Sequence, residues 1–236
     1  MAARVEIRIT AVLALLTVTS GVIDAVSFLA LGHAFAALAT GNLLLLAFGL
    51  TGSAGLSIAR PALALVSFVL GAAGAHLVIT RRRAHGQHWF ALGLLAESAL
   101  LATAGGYAVA TGGSGLPPSR DSGVVFALVS LAMGWRSRFI LAARIPEMPT
   151  TLVQTTLIKL VVDLFTPHAP SSTTSLTRVQ RLSTVLGMFA GGLLGAAALP
   201  GGPGAVLLAV AGCVAAVGLV YSRAPRLRPP LPEPSR

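Results

Sequence analysis

Eight apolar runs follow one another along this chain, at about 9–31, 34–50, 61–80, 89–111, 123–143, 149–165, 182–199 and 205–221, each seventeen to twenty-three residues long. A helix needs about 20 residues to cross about 30 Å of hydrocarbon, so the runs predict an all-α polytopic bundle embedded in a lipid bilayer. They are continuous and rich in Leu, Ala and Gly. They lack the period-two alternation that separates the lipid face of a β-barrel from its lumen. Composition agrees, since 55% of the 236 residues are hydrophobic and only 10% are charged.

The formal charge of +10 invites a nucleic-acid reading. The arginines, however, lie mostly in short connections between apolar runs, where they orient a membrane protein, so no nucleic-acid partner is expected. The single cysteine, Cys213, excludes a disulfide framework and a CxxC pair. No Ser/His/Asp, HExxH, Walker or GxGxxG constellation stands in a fitting context, so neither enzyme activity, nor a cofactor, nor a metal site is expected. The basic start followed by an apolar run imitates a signal peptide, but the run continues to Leu31 without a cleavage site. It is read as a retained first helix.

Arginine placement chooses among topologies. With eight crossings and an inner N-terminus, ten arginines fall inside and six outside. If 34–50 and 149–165 each enter and leave on one side, fourteen fall inside, and only Arg60 and Arg120 remain outside. The positive-inside rule favours the second arrangement: six full spans plus two partial or broken segments, with both termini cytoplasmic. Eight full spans is the alternative. The first partial segment is interrupted by Thr40, Gly41 and Asn42, and the second is polar at Thr150, Thr151, Gln154, Thr155, Thr156, Lys159 and Asp163. Lys159 and Asp163, four apart, are expected to pair with each other.

Each half then holds three crossings, and an odd number inverts the second half, the pattern of a 3+3 inverted repeat. Gly21-x-x-Asp24 precedes Gly134-x-x-Ser137 by 113 residues, and FVLGAAGA (68–75) resembles FAGGLLGA (189–196) at an offset of 121. The expected organisation is one transmembrane domain over 1–222, with halves of about 1–115 and 116–222. A disordered basic Pro/Arg-rich cytoplasmic tail, 223–236, follows it.

Asp24, deep in the first run, is the strongest candidate for function, because a carboxylate at the helix centre costs about 2.5–3.5 kcal/mol on insertion scales. It is read either as a proton or cation site, or as a carboxylate that bonds backbone amides and locks the partial segment. Thr40, Gly41 and Asn42 suit a helix break that exposes amides and carbonyls to a ligand. With Thr151, Gln154 and Thr155 they complete the expected pathway for an unknown small solute or ion. Glu97 and His33 are candidate polar partners. The salt-bridge alternative, Asp24 with Arg136 or Arg138, is disfavoured by depth. Asp24 is expected to bond groups near Thr40–Asn42, while both arginines face the inner surface. Gly187, Gly191 and Gly195 repeat the GxxxG spacing of close helix packing, against either this chain or a second copy in a homo-oligomer.

The stretch GVIDAVSFLALGHAFAALATGN (21–42) resembles the YoaK-like family of bacterial multi-pass membrane proteins, a domain of unknown function. Gly21, Asp24, Ala25, Ser27, Phe28, Thr40, Gly41 and Asn42 carry the resemblance. A second region, 132–157, is similar to the family pattern but departs from it at Arg136, Ser137 and Arg138 and at Gln154 and Thr155. The resemblance spans nearly the whole chain to about 221 and implies a bacterial inner-membrane protein. Activity stays open: a small-solute transporter or channel is the leading expectation, and a membrane scaffold or regulator the alternative.

Overall fold

The computed structural model describes residues 2–52, 56–82, 89–112, 120–142, 158 and 175–223. Among these there are seven α-helices and no strand: α1 (Ala2–Ala30), α2 (Ala39–Leu50), α3 (Ala59–Arg82), α4 (Trp89–Ala110), α5 (Arg120–Ala142), α6 (Ser175–Ala198) and α7 (Pro203–Arg223). All except α2 are long and apolar enough to cross a bilayer. Helix ends follow local chemistry. Asp121 sits in the first turn of α5 and Arg223 in the last turn of α7, each where the helix dipole favours its charge. Pro203 opens α7 at a position that needs no amide. The second partial segment, 149–165, and the tail, 224–236, lie outside the described residues.

Contacts establish the directions. Helices α4 and α5 are antiparallel, because Trp89 stacks on Phe139 at one end and Tyr107 bonds Asp121 at the other. Helices α4 and α7 are antiparallel as well, with Phe90 beside Tyr221 and Gly105 against Gly204. In contrast, α3 runs parallel to α5, since Arg60 bonds Ser122 and His76 meets Arg138. Likewise α1 runs parallel to α6, where Ala14, Val18 and Val22 face Gly187, Gly191 and Gly195 in turn. The short turn Leu199–Gly201 reverses the chain between α6 and α7. Thus α1, α4 and α6 point one way, and α3, α5 and α7 the other. The first half reads up, down, up and the second down, up, down, which is an inverted repeat.

The two parallel pairs are built alike. A Cβ on Gly21 would strike the Met188 carbonyl, and one on Gly191 the Val18 carbonyl. In the other pair, a Cβ on Gly134 would strike the Phe68 carbonyl, and one on Gly71 the Leu131 carbonyl. Val18 and Gly21 map onto Leu131 and Gly134 by 113 residues, and Phe68 and Gly71 map onto Met188 and Gly191 by 120. The same reciprocal crossing therefore occurs twice, each time joining the first helix of one half to a later helix of the other. The offset of 121 expected from FVLGAAGA and FAGGLLGA is corrected by one, because Gly191 rather than Gly192 takes the carbonyl. Removing the side chains lets backbones approach closely, which is how helices associate where lipid supplies no hydrophobic drive.

Of the two partial segments, the first is described. After α1 the chain passes through Gly32 (φ 125°) and His33 (φ 56°), both left-handed, and stays non-helical to Leu38. The break therefore precedes Thr40, Gly41 and Asn42, which form the first turn of α2, instead of falling on them. At 1.5 Å per residue, twelve-residue α2 is about 18 Å long, too short to cross, and its packing is against α3.

Substituting Gly21, Gly71, Gly134 or Gly191 with alanine should each destabilise the protein in detergent by about 1–3 kcal/mol, the range for overpacking, because a backbone carbonyl cannot move aside. Gly192→Ala, whose Cβ meets nothing within 4 Å, should leave thermal unfolding unchanged. Equal effects at Gly191 and Gly192 would contradict the crossing.

Candidate functional site

Thr17, Ser20, Asp24 and Ser27 recur every three or four residues on α1, so they share one face. All four are buried. The Thr17 hydroxyl donates to the Leu13 carbonyl at 2.9 Å, and Ser20 donates to Leu16 at 3.1 Å. This polar line runs along the inner side of a helix otherwise walled by Leu13, Leu16, Ile23 and Val26.

At its upper end the line meets the broken segment. The Ala37 amide donates to Asp24 Oδ1 at 2.8 Å. Ala37 therefore lies at the depth of Asp24, about 9 Å below the end of α1 at 1.5 Å per residue. Asn42 secures the same segment from the other side. Its Oδ1 accepts from the Phe35 amide at 2.9 Å and its Nδ2 donates to the Phe35 carbonyl, so one side chain satisfies both backbone groups of a residue outside any helix. Phe35 stacks on Phe28 at 4.8 Å. Non-helical backbone at membrane depth survives only when protein satisfies it, and Asp24 and Asn42 supply those bonds.

At its lower end the line meets Arg136. Its Nη1 donates to the Leu16 carbonyl at 3.0 Å and to Thr19 Oγ1 and Ser20 Oγ, both at 2.9 Å. Its Nε donates to Glu97 Oε1 at 2.6 Å, and Nη2 is ion-paired with the same oxygen. Arg136 is 2% exposed and Glu97 1%. One guanidinium thus ties α5 to α4 and to α1. The expectation that Arg136 faces the inner surface is corrected: Nε and Nη1 donate to a carboxylate, two hydroxyls and a carbonyl inside the bundle, and the Glu97 carboxylate meets the charge there. Arg138 is half-buried and bonds His76 Nδ1 at 3.1 Å.

The structure brings Asp24 and Asn42 to the broken segment and holds Glu97 on Arg136, one turn of α1 below Asp24. Gly41 packs against the Phe35 ring. Thr40 is exposed on α2, and His33 is exposed with its ring edge-on to Phe28 at 5.5 Å. Asp24 bonds backbone three residues before Thr40 and makes no hydrogen bond to Arg136. Gly187, Gly191 and Gly195 face α1 of the same chain. Thr151, Gln154 and Thr155 lie outside the described residues, as do Lys159 and Asp163. Sequence reasoning missed Thr19, Ser20 and Arg136 as one hub. The signal for it was an arginine near the middle of one apolar run and a glutamate near the middle of another, which is a pair waiting to be matched.

Two buried oxygens on the line make no hydrogen bond: Asp24 Oδ2 and Ser27 Oγ. They are three residues apart on one face, which puts their Cβ atoms about 5–6 Å apart. Among the described residues, no group of three His, Cys, Asp or Glu side chains is placed to hold a metal ion.

Removing one partner of a buried ion pair strands a charge and typically costs about 3–5 kcal/mol. Arg136→Gln and Glu97→Gln should each destabilise the protein by that order in denaturant unfolding in micelles. The double variant should lose far less than the sum of the two; strict additivity would refute the pairing.

Residues 12–220 match the family model described as a protein of unknown function (DUF1275). Searches of curated proteins and of solved structures return no match.

Proposed function

Because the chain belongs to the DUF1275 family, whose function is unknown, its role is read from geometry, and we propose that it is a small-solute transporter or channel of the bacterial inner membrane. Both termini are assigned to the cytoplasm, as the arginine distribution favours. The observation that carries the reading is Asp24. An intramembrane carboxylate is costly and marks ion or solute pathways by default, and this one lies where a non-helical segment returns to its depth. Inverted repeats with discontinuous segments near the membrane interior are the architecture in which transporters place their sites. In this reading the pathway draws on Asp24, Thr40, Gly41 and Asn42 and, outside the described residues, on Thr151, Gln154 and Thr155.

The bond from Ala37 to Asp24 also favours a second reading, in which the carboxylate only locks the segment and the bundle serves as a scaffold. Asp24→Asn separates the two. Asparagine keeps Oδ1 to accept from Ala37, so the lock holds while the charge goes. Purified protein in liposomes is expected to pass at least one of sodium, potassium, chloride or a small neutral osmolyte above protein-free vesicles. Asp24→Asn should reduce that flux at least tenfold with unfolding unchanged. Flux no higher than that of empty vesicles, or the same in the variant, would favour the scaffold.

A further inference from the structure

The buried polar line carries an unbalanced charge. Asp24, Glu97 and Arg136 are 4%, 1% and 2% exposed, so two carboxylates share one guanidinium inside the bundle. Arginine keeps its proton in proteins, and Glu97 takes that charge in direct contact. Asp24 Oδ1 accepts from the Ala37 amide, while its Oδ2 is buried without a hydrogen-bond partner, as is Ser27 Oγ three residues along the same face. An uncompensated charge in a low-dielectric interior is strongly disfavoured. One positive charge is what the cluster lacks.

We infer that the Asp24–Arg136–Glu97 cluster binds a single proton, carried on Asp24 Oδ2. A hard metal ion asks for about six or more oxygen ligands, and the site presents one free carboxylate oxygen and one hydroxyl. A proton asks for one lone pair. In the step, a hydronium gives its proton to Oδ2, an O–H bond forms, and water leaves. The cluster then holds a neutral acid beside a balanced ion pair. On release, the Asp24 charge competes with Glu97 for Arg136, which also grips Ser20, one turn from Asp24.

The charged and titratable groups around the line are few among the described residues. Arg136 of α5 grips Ser20, one turn of α1 from Asp24. Glu97 of α4 acts through it. Arg60 of α3 lies against Gly32 and bonds Ser122. Arg181 of α6 is buried near the opposite end, since Gly187 already faces Ala14. On α7, Cys213 is half-buried and Tyr221 packs on Phe90. His33 of the broken segment is exposed.

This inference deepens the transport reading by naming the ion the site takes, and its test requires no transport. Infrared spectra of the protein in lipid vesicles, recorded as pH is varied, should show a protonated carboxylic acid band that Asp24→Asn removes. Glu97→Gln frees Arg136 to neutralise Asp24, so the band should appear there only at a proton concentration at least tenfold higher. A band that survives Asp24→Asn but disappears in Glu97→Gln would overturn the assignment. So would the absence of any such band, or stabilisation by sodium that depends on Asp24. A proton bound without measurable flux leaves this inference standing and removes the transport reading; flux without a protonated acid does the reverse.

Discussion

A peptide group that leaves a helix inside hydrocarbon must find a partner in the protein, because there is no water to supply one. The bond from the Ala37 amide to Asp24 Oδ1 meets that demand at the point where the chain turns back toward the face it came from. The rest of the fold follows from it. Once the 31–38 segment is held at the depth of Asp24, short α2 has only the way back, α3 begins at the face where α1 ended, and the parity of crossings inverts the second half.

Two layers of interaction are superimposed on that topology. The backbone layer is nearly symmetric, with reciprocal glycine-to-carbonyl crossings joining α1 to α6 and α3 to α5. The polar layer is not. Position 24 carries a carboxylate and its counterpart 137 a hydroxyl. Position 23 is Ile, whereas its counterpart 136 is the buried arginine, and position 210, the counterpart of Glu97, is Val. The repeat thus supplies the scaffold, and the departures from it gather the charges onto the inner faces of α1, α4 and α5. Chemistry has been concentrated where the symmetry is broken.

Much of this was legible beforehand, and the gaps have physical causes. The six crossings could be read because hydropathy measures what the bilayer selects, and family membership followed from the motif between Gly21 and Asn42. The position of the break was misread by several residues, since AFAALA is as apolar as any helix and hydropathy does not distinguish coiled apolar backbone from helical. Arg136 was counted with loop arginines because the arithmetic treats every guanidinium as solvated; only a partner 39 residues away on another helix makes burial tolerable. The glycine register slipped by one at the Gly191–Gly192 doublet, where composition is blind to which glycine faces the neighbour. Ser20 was invisible for a different reason, as a serine in an apolar run usually bonds its own helix, and here it does that and also receives Arg136.

The account rests on Asp24 holding the broken segment with one oxygen, and amide hydrogen exchange at Ala37 reads that bond directly. Exchange should be slow in the native protein and in Asp24→Asn, which retains the acceptor, and faster by an order of magnitude or more in Asp24→Ala. Equal exchange in all three would mean that Asp24 does not hold the segment, and the re-entrant topology would need another cause.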